Sequence, residues 1–429
     1  MVQGMSASVS VRKVLLTICQ TLLMSYPSEG DEEGTPSMAV DNFADTFVTR
    51  PLDDPIDLLK QLIAINSVNP DLVEGGDGEA KIGAFCTNWF REHGFEVHVL
   101  EECPGRPSIV GIARGTGGGR SLMFNGHIDT VSISDYDGHP LEPVIRDGKL
   151  FGRGAFDMKG GVAAMMVAAA RAKNRGVRGD ILVACVADEE FASFGSEQVV
   201  ARFTADAAIV TEPSHLELIV AHRGFVWCEV TVHGRAAHGS RRDLGVDAIT
   251  KAGKFLAALE AYDNQLQTSS SHETLGTGSV HASLISGGRE ISSYPAECRI
   301  SLERRTIPGE TPDSVAVELQ AILDTLTSKD PHFRATLTVG LDRPPFSVAA
   351  IEPVVVTLDR VATRIMGEKP VRRGEPFWTD CAILQAAGIP SVMFGAGGGG
   401  AHAPTEWADI TSVEVLCDIL TDSAIEFCK

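Results

Sequence analysis

The sequence predicts an α/β fold in which helices cover both faces of a sheet and a smaller α+β module interrupts the domain. Two observations predict the covered sheet. Short apolar runs with the length of buried strands alternate with helical periods between residues 55 and 210, and helical and strand segments resume after residue 344. A third observation, a change to a strand that alternates apolar and polar residues, begins near residue 223 and predicts the inserted module.

The first helix is expected to begin after Asp53 or Asp54, either of which can cap it, with Pro55 in its first turn. Apolar residues then recur on one helical face as far as residue 63. A second helix is expected to end at Gly94. The predicted elements of this part are helices at 55–63, 81–93 and 160–172 and strands at 95–100, 121–124, 181–186 and 207–210.

The inserted module is expected to combine strands with two helices, and Asp313 is well placed near the start of the second helix. Its predicted strands are 225–232, 279–285, 298–302 and 336–339, and its helices are 248–262 and 313–328. The outer domain then resumes with helices at 351–366 and 412–426 and a strand at 391–394. The predicted parts of the chain are a disordered or processed tail (1–50), the outer domain (51–222 and 341–429) and the inserted domain (223–340).

The composition is that of an acidic globular protein. The chain has 429 residues with 57 acidic and 37 basic side chains, a formal net charge of −20, and it is 44% hydrophobic. This length exceeds one ordinary domain, and the apolar content excludes wholesale disorder. The acidity argues against a nucleic-acid partner and a polybasic membrane-surface protein, because both need positive surface. It permits a cluster of carboxylates around metal ions.

Cysteine use and the N-terminus bear on the cellular setting. Nine cysteines occur without a CxxC pair, which favours reduced thiols and a cytoplasmic location. Arg12-Lys13 and the apolar residues 14–24 have the outline of a signal peptide, but polar residues dilute the run and no small-x-small cleavage site follows. Secretion and a short apolar helix on a disposable tail both stay open. No run approaches the roughly 20 apolar residues that span a bilayer, so no membrane partner is expected.

Residues that can bind metal follow the ends of predicted strands. Four apolar strands are each followed by such side chains: His127 with Asp129, then Asp188-Glu189-Glu190, then Glu212, and finally His402. A fifth segment places Asp157 just ahead of the predicted helix at 160–172. Ligands of open α/β sheets bind outside the carboxyl ends of the strands, so these residues can converge although they are distant in sequence.

The residue types suit zinc, or cobalt and manganese as substitutes, because two histidines and several carboxylates occur without cysteine. One ion cannot use all of them, whereas two ions about 3.5–4 Å apart that share a carboxylate and a water explain the surplus. Each residue alone has a simpler interpretation: a lone histidine is usually a surface residue, residues 188–190 a solvated turn, and Asp157 a helix cap. Their joint placement favours the metal site.

A glycine run offers a rival function of another class. Residues 395–400 match GxGxxG after a predicted strand, which is a pattern of nucleotide-binding oxidoreductases. The run follows the last predicted strand and does not open a βαβ unit, which disfavours dinucleotide binding. Residues 115–119, also rich in glycine, precede a strand and are expected to form a turn.

Five motifs in a fixed order carry a resemblance to a known family. They are Gly126-His-Ile-Asp-Thr-Val131, Gly152-Arg-Gly-Ala-Phe-Asp-Met-Lys-Gly160, Asp188-Glu-Glu190, Thr211-Glu-Pro213 and His402-Ala-Pro-Thr-Glu406. Through them residues 55–429 resemble the dinuclear zinc amidohydrolases that include acetylornithine deacetylase, succinyl-diaminopimelate desuccinylase, aminoacylase and glutamate carboxypeptidases. Ser67-Val-Asn-Pro70 and residues 303–310 are similar to the deacetylase and desuccinylase branch. The resemblance implies a zinc-peptidase-like catalytic domain with a mixed sheet, an inserted lid and dimerisation domain, and a homodimer.

The resemblance also implies roles for the site residues. The metal ligands would be Asp157 as a bridge between two zinc ions, His127 and Glu212 on one ion, and Glu190 and His402 on the other. Asp129 would accept the second ring N–H of His127, and Glu189 would be the general base. The implied reaction is hydrolysis of the amide bond of an N-acyl amino acid by a metal-bridging water. A di- or carboxypeptidase of the same fold stays open, because it would use the same metal ligands.

The inserted domain supplies two further candidates by the same resemblance. His238 matches a lid histidine that stabilises the oxyanion, often in the partner subunit's active site; the alternative is a turn histidine. Arg305 matches an arginine that binds a substrate carboxylate as a bidentate fork; the alternative is that Arg304 and Arg305 form a solvated strand edge. Many relatives have Asn-x-x-Pro where this chain has Ser292-Ser-Tyr-Pro295, so the amide that they use for a substrate contact is missing. The role of Asp380 is left open.

Overall fold

The computed structural model of the protein describes residues 54–269 and 271–429. The predicted tail, including the apolar run at 14–24, lies outside the described residues. Every helix and strand predicted between residues 55 and 429 has a counterpart in the described structure, within a few residues at each end. The strands at Ser108–Ala113 and Leu218–His222 are the longest of several strands that sequence patterns did not predict, and two short helices, Phe194–Val200 and Cys381–Ala386, were not predicted either.

The first part of the chain alternates helices and strands. Asp54 caps the first helix by accepting a hydrogen bond of 2.8 Å from the backbone N–H of Ile56, as the Asp-Pro sequence predicts. The elements in chain order are α1 (Pro55–Ile63), α2 (Ala80–Glu92), β1 (Glu96–Leu100), β2 (Ser108–Ala113), β3 (Leu122–His127), β4 (Val144–Arg146), β5 (Lys149–Phe151), α3 (Gly160–Asn174), β6 (Ile181–Val186), α4 (Phe194–Val200), β7 (Ala207–Val210) and β8 (Leu218–His222).

The inserted module follows without a break. Its elements are β9 (Gly224–His233), α5 (Ala248–Leu266), β10 (Ser279–Gly287), β11 (Glu297–Thr306), α6 (Pro312–Lys329) and β12 (Arg334–Arg343). Thr311 caps α6 through a reciprocal pair of hydrogen bonds with Ser314. Asp313, which was expected near the start of this helix, lies in its first turn, where a negative charge favours the helix dipole.

The last part of the chain returns to the first domain. Its elements are β13 (Phe346–Ser347), α7 (Pro353–Met366), β14 (Arg372–Glu375), α8 (Cys381–Ala386), β15 (Ser391–Met393), β16 (Gly398–Gly399), β17 (Trp407–Asp409) and α9 (Ile410–Phe427). Asp409 caps α9 by accepting a hydrogen bond of 2.8 Å from the backbone N–H of Ser412. The strands β16, β17, β5 and β4 form a small separate sheet.

Nine strands of the described chain form one mixed sheet, with β14 paired to β8 beside the main order β1-β2-β6-β3-β7-β15-β8-β13. The centre is parallel, because β3 pairs in parallel with β6 and β7, and β7 with β15. The outer strands pair antiparallel: β1 with β2 and β2 with β6 on one side of the sheet, and β13 with β8 on the other. Parallel strands end at one edge of a sheet, so the residues that follow β3, β6, β7 and β15 meet there.

Helices cover both faces of the mixed sheet, as predicted. Val183 and Cys185 of β6 belong to one core, which includes residues of α1, α2, α3, α7 and α9. Leu182 and Ala184 belong to the opposite core, which includes residues of α4 and α8. Successive strand residues point to opposite faces, so burial on both sides requires the continuous apolar run that the sequence shows in β6.

The inserted module has its own antiparallel sheet, in the order β10-β11-β9-β12, and its own core. Val226, Cys228 and Val230 of β9 pack in this core with residues of α5 and α6. The intervening Trp227 is exposed. One covered face explains why this strand alternates apolar and polar residues. The domain boundaries at 222/223 and 340/341 stay predictions, and β12 runs through the second of them.

The described residues contain no helix that combines the length and the apolar character needed to cross a membrane. No disulfide joins the cysteines in the described part of the chain. Cys103 is half-buried, and the other cysteines there are buried.

Candidate metal centre

Five side chains that were predicted as metal ligands come together where the parallel strands end. They form two groups whose ligand atoms lie within 4.8 Å of one another: an inner group of His127, Asp157 and Glu212, and an outer group of Asp157, Glu190 and His402. The strands explain part of this convergence, because His127 is the last residue of β3 and the two glutamates follow β6 and β7. Asp157 lies in the turn before α3, and His402 lies in the loop between β16 and β17.

Asp157 presents one carboxylate oxygen to each group. Its Oδ1 atom lies 3.2 Å from Nε2 of His127, and its Oδ2 atom lies 3.4 Å from Nε2 of His402. Nε2 of His127 is 3.6 Å from Oε1 of Glu212, and Nε2 of His402 is 2.9 Å from Oε2 of Glu190. Two ligands of a tetrahedral zinc ion, each about 2.0–2.1 Å from it, are about 3.4 Å apart. These spacings fit a pair of ions that share Asp157.

The inner group is buried, whereas the outer group reaches solvent through His402. The side chains of His127 and Glu212 are 0% and 6% exposed, but that of His402 is 55% exposed. In the outer group, the buried Oε1 atom of Glu190 has no hydrogen-bond partner among the described residues. Buried carboxylate oxygens are normally paired, and a cation in the outer group would satisfy this one.

The carboxylates of the centre are crowded. Burial, and then the charge of Glu212, raises the pKa of Glu189 well above its ordinary value. Burial also raises the pKa of Glu212 and that of Glu190. Hydrogen bonds to Asp157 and Glu190 raise the pKa of His402 to about 10. A divalent cation relieves such crowding, because nearby positive charge favours ionised carboxylates.

Within the inner group, His127 and Asp157 stabilise each other's charged form. Burial opposes the charged form of His127, but the charge of Glu212 and hydrogen bonds to Asp129 and Asp157 outweigh it and raise the His127 pKa. Burial also opposes ionisation of Asp157, but hydrogen bonds from His127 and His402 outweigh it and lower the Asp157 pKa. Asp157 is therefore an ionised carboxylate, which is the form that binds metal.

Glu189 lies beside the inner group without belonging to either group of ligands. Its Oε2 atom is 3.9 Å from Nε2 of His127, and its side chain is mostly buried. The next residue, Glu190, reaches His402 instead. A carboxylate at the Glu189 position has the location that a base needs to exchange a proton with a molecule bound between it and the inner group.

Asp129 is fully buried behind His127. Nδ1 of His127 lies 3.0 Å from the backbone oxygen of Asp129 and 3.5 Å from its carboxylate Oδ1 atom, so the backbone carbonyl is the nearer acceptor. The carboxylate accepts hydrogen bonds of 3.2 Å from the backbone N–H groups of Glu189 and Glu190. Burial acts to raise the pKa of Asp129, but the hydrogen bond and charge of His127 lower it. Asp129 thus supports both His127 and the turn that carries the two glutamates.

A buried ion pair, to which sequence reasoning assigned no role, holds the turn that carries Asp157. Glu406 is 1% exposed and accepts a hydrogen bond of 2.9 Å from Nη1 of Arg153. It also accepts hydrogen bonds of 2.9 Å from three backbone N–H groups, those of Gly154, Phe156 and Asp157. Nη2 of Arg153 donates to the backbone oxygen of Ala403, next to His402. The pair therefore links the segments that carry Asp157 and His402. The sequence indicated a role for this pair only in that Arg153 and Glu406 belong to two of the family motifs, Gly152–Gly160 and His402–Glu406.

Three other buried polar residues were also missed: Asn69, Glu79 and Arg106. They lie behind Asp129 and Asp188 and donate or accept hydrogen bonds there. Asn69 had a signal, because it belongs to the Ser67-Val-Asn-Pro70 segment, whereas the other two lie in no quoted motif.

Asp380, whose role was left open, is buried near the centre. Its Oδ2 atom accepts a hydrogen bond of 2.6 Å from Ser196, and its Oδ1 atom has no partner among the described residues. Burial raises the pKa of Asp380 to about 6. Its charge in turn helps to raise the pKa of Glu189 and Glu212.

The structure does not bring the two module candidates to the metal ligands. His238 is exposed, and its described hydrogen bonds join Nδ1 to Ser240. Its neighbours pair with the Ser292–Pro295 segment, through a bridge between His238 and Ser293. Arg305 is partly exposed, pairs with Glu303 at 2.6 Å and lies over the ring of Phe225.

The alternative interpretation of Arg304 and Arg305 as a solvated strand edge is wrong. β11 lies between β10 and β9, so it is an interior strand of its sheet. Arg304 is fully buried and donates hydrogen bonds to Glu310 and Tyr262. An interior antiparallel strand with a covered face buries every second residue, and Arg304 is on the covered side.

The glycine run at 395–400 does not form a nucleotide-binding turn. Gly398 and Gly399 of the run form the short strand β16, and β17 follows, whereas a dinucleotide fingerprint opens a helix. Gly395 is required by packing, because an added Cβ atom would lie 2.0 Å from the backbone oxygen of Glu212. The run thus allows the loop after β15 to approach a ligand-bearing loop after β7.

Comparisons with known proteins agree with this geometry. The sequence profile described as peptidase family M20/M25/M40 matches residues 123–426. The chain is 28% identical over 410 residues to the N-formyl-4-amino-5-aminomethyl-2-methylpyrimidine deformylase of Bacillus subtilis (strain 168), an alignment that covers 88% of this chain and 95% of that protein. It is 30% identical over 334 residues to the acetylornithine deacetylase of Myxococcus xanthus, which covers 75% of this chain and 84% of that protein.

Solved structures confirm the expected fold class. A tripeptidase from Staphylococcus aureus superposes with a TM-score of 0.73 at 21% identity, over 87% of this chain and 98% of that one. A dinuclear metal-binding peptidase of the M20 family from Bacillus subtilis superposes with a TM-score of 0.67 at 15% identity, over 87% and 97%. Because the family profile spans most of its length, the chain belongs to peptidase family M20/M25/M40, whose members are hydrolases that cleave amide bonds.

Proposed function

We propose that this family member is a dinuclear zinc hydrolase that removes the acyl group from an N-acyl amino acid by cleaving its amide bond. The observation that carries the proposal is the placement of Asp157, whose two carboxylate oxygens face His127 and His402 separately. A carboxylate shared in this way is the arrangement that two adjacent ions need.

The proposed metal ligands are the two groups described above. The inner ion would be held by His127, Asp157 and Glu212, and the outer ion by Asp157, Glu190 and His402. Nitrogen and oxygen donors without sulfur suit zinc, and cobalt is the expected substitute. When bound, the ions would supply a water that ionises near neutral pH and would polarise the carbonyl that is attacked.

Glu189 is the proposed general base. It takes one proton from the water as the water oxygen forms its bond to the amide carbon, and it passes this proton to the nitrogen as the carbon–nitrogen bond breaks. The products are a carboxylic acid and an amine, so the atoms of amide and water balance. Asp129 holds the backbone of Glu189 and orients His127, which keeps the base and the inner group in register.

The relatives support removal of an acyl group from nitrogen, and the acetylornithine deacetylase supports an amino acid as the rest of the substrate. Both relatives quoted above are named for removing a small acyl group, an acetyl or a formyl group, from nitrogen. Arg305 is the proposed partner of the substrate carboxylate, because a guanidinium binds a carboxylate with two parallel hydrogen bonds. A di- or carboxypeptidase would need the same ligands, and the resemblance to the tripeptidase extends to the fold alone.

We further propose that the protein is a homodimer in which the module of one subunit brings His238 to the site of the other. His238 is exposed and has no described contact with either ligand group, so a second subunit or a domain movement must bring it there. The edge strand β10 presents Leu284 and Ile285, which are 71% and 56% exposed. We also propose a cytoplasmic, reducing setting, which the nine cysteines without a CxxC pair favour.

Metal analysis combined with a substrate panel tests the proposed function. The purified protein is expected to hold about two zinc ions per chain and to hydrolyse N-acetyl and N-formyl amino acids faster than dipeptides. Faster hydrolysis of dipeptides would favour the peptidase, and a metal-free protein with full activity would contradict the mechanism. An N-acyl amine without a carboxylate tests the role of Arg305. Compared with the matching N-acyl amino acid, this substrate should have a KM that is raised by a larger factor than its kcat is lowered.

A further inference from the structure

A buried polar network lies directly behind the Glu189–Glu190 turn, and the proposed function leaves it without a role. Asn69 and Glu79 are 0% exposed, and Arg106 is 4% exposed. Burying polar groups costs free energy unless they are hydrogen-bonded. Here Arg106 donates hydrogen bonds to Glu79 and Asp188, and Asn69 donates to Asp129.

Asn69 uses every hydrogen-bonding position of its side chain. Nδ2 donates to Oδ2 of Asp129 at 2.8 Å and to Oδ1 of Asp188 at 3.1 Å. Oδ1 accepts from the backbone N–H groups of Asp71 at 2.9 Å and Leu72 at 3.3 Å. The reverse orientation of the amide would place its oxygen against two carboxylates, so this network fixes the orientation.

Asp188, the second acceptor, sets the direction of the chain just before the two glutamates. It has a φ of +70°, in the left-handed region that few residues other than glycine adopt. Its side chain accepts a hydrogen bond from Nη2 of Arg106 at 3.1 Å, and its backbone N–H donates to Glu79 at 3.2 Å. Arg106 is itself fixed by a two-pronged hydrogen-bonded pair with Glu79.

Asn69 is thus the link between the two ends of the turn. On one side it holds Asp129, whose carboxylate accepts the backbone N–H groups of Glu189 and Glu190. On the other side it holds Asp188, which Arg106 and Glu79 fix in place. The amide of Asn69 thus couples the position of both glutamates to Asp129, which also contacts His127.

We infer that Asn69 is a positioning residue, which clamps Asp129 to Asp188 and thereby fixes the Glu189–Glu190 turn against His127. The inference rests on the proposed function for the tasks of the two glutamates, but the clamp itself is a property of the fold. Asn69 acts through Asp129 and touches neither metal ligands nor substrate. Misplacement of a reacting group by about 1 Å costs roughly 10²-fold in rate, so a loosened turn should lower kcat.

The substitution Asn69→Asp tests the clamp with the least change of shape. An aspartate still accepts the backbone N–H groups of Asp71 and Leu72, but it offers no amide donors to Asp129 and Asp188. Asn66→Asp is the matched control, because Asn66 lies three residues earlier and, among the described residues, its side chain accepts a hydrogen bond only from the backbone N–H of Val68.

Zinc affinity and the kinetic constants are the first measurements, made on the zinc-loaded protein and by competition with a chelator. Asn69→Asp is expected to weaken zinc binding by about 10–100-fold, the usual effect of removing a residue that orients metal ligands. At saturating zinc it should lower kcat by about 10²-fold while KM changes by less than about 3-fold. Asn66→Asp should match the wild type in all three quantities.

Hydrogen exchange of the backbone is the second measurement, and it is independent of activity. In metal-free protein, the peptide that spans residues 187–193 should exchange about 10-fold faster in Asn69→Asp than in the wild type or in Asn66→Asp. This readout separates the two proposals. If the wild-type protein bound no zinc and hydrolysed no amide, the proposed function would be refuted, whereas the exchange of this peptide would still test the clamp.

The inference is overturned if folded Asn69→Asp keeps wild-type exchange in this peptide together with wild-type zinc affinity. If Asn69→Asp does not fold, Asn69→Ser decides, because serine keeps one donor and is expected to show a smaller increase in exchange of the same peptide. Wild-type exchange in a folded Asn69→Ser overturns the inference equally.

Discussion

The edge of the mixed sheet and the inserted module both carry predicted site residues, but in different physical settings. At the sheet edge, the ligand atoms of each group lie within 4.8 Å of one another. In the module, the hydrogen-bond and ion-pair partners described for His238 and Arg305, namely Ser240 and Glu303, belong to the module itself. The first region is preorganised, whereas the roles proposed for His238 and Arg305 require the second to be brought to the substrate.

Burial accounts for this difference. The sheet edge fixes its side chains with buried partners, such as Asp129 behind His127 and Glu406 behind Asp157. His238 is exposed on a turn, with a single hydroxyl as its described side-chain partner. Side chains on rigid elements hold a geometry better than side chains on turns. The comparison therefore predicts that chemistry depends first on the sheet edge and that the module adds to it.

Removal of metal should have the largest effect, because both groups depend on positive charge to keep their carboxylates together. Exhaustive chelation is expected to abolish amide hydrolysis, and zinc or cobalt should restore it. The ion of the outer group should leave first, since His402 is exposed and His127 is not. Metal content and activity measured through a chelator titration check this order. Activity that survives complete removal would contradict the mechanism.

The substitution Glu189→Ala should have the next largest effect. It removes the proposed base but none of the five ligands, so the protein should keep its zinc and lose about 10²–10⁴-fold in kcat. Glu190→Ala is the matched comparison on the neighbouring residue, and it should lose the outer ion because Glu190 pairs with His402. Metal analysis of both variants checks the assignment. Loss of zinc from Glu189→Ala would show that the two glutamates are assigned the wrong way round.

The substitution His238→Ala tests what the module adds. The variant is expected to keep its zinc and to lose about 10²-fold in kcat, the usual loss for one donor to an oxyanion. His332→Ala is the control, because His332 is another exposed histidine of the module. Wild-type turnover in His238→Ala would confine the chemistry to the sheet edge.

Mixed dimers show which subunit His238 serves. Co-expression of His238→Ala chains with Glu189→Ala chains gives dimers in which one site has both residues only if His238 acts across the interface. Random pairing should then restore about a quarter of wild-type activity. Activity no higher than that of the two parent variants would show that His238 acts within its own subunit.

The sequence predicted the sheet edge well because its signals are local. Continuous apolar runs mark strands that are buried on both faces, and the polar residues that follow them necessarily lie at the strand ends. This was enough to place His127, Glu190 and Glu212 together. The strand β2 was missed because Gly111 interrupts its apolar pattern, and the structure shows that an added Cβ there would lie 2.7 Å from the ring of Phe90.

The supporting contacts could not be predicted, because they join residues that are far apart in sequence. Arg153 and Glu406 are 253 positions apart, and Asn69 and Asp188 are 119 apart. A buried charge or amide has no periodic pattern that reveals its partner. The burial of Arg304 was missed for the same reason, since its partner Tyr262 comes from α5.

A matched pair of substitutions offers the finest test of the comparison, because each region contains a buried arginine held by a glutamate that also accepts a backbone N–H. At the sheet edge Glu406 pairs with Arg153, and in the module Glu310 pairs with Arg304. A glutamine in either place weakens a charge-assisted hydrogen bond and should lower the free energy of unfolding by about 1–3 kcal/mol.

Only one of these two changes should reach the metal. Glu406 also accepts the backbone N–H of Asp157, so Glu406→Gln is expected to weaken zinc binding by about 10-fold, at the lower end of such effects. Glu310 accepts the backbone N–H of Ile307, which lies in the module, so Glu310→Gln should leave zinc affinity unchanged. Thermal unfolding of the metal-free proteins and chelator competition measure the two quantities separately. Equal losses of zinc affinity would mean that the centre responds to overall stability, and the contrast between a preorganised edge and an independent module would fail.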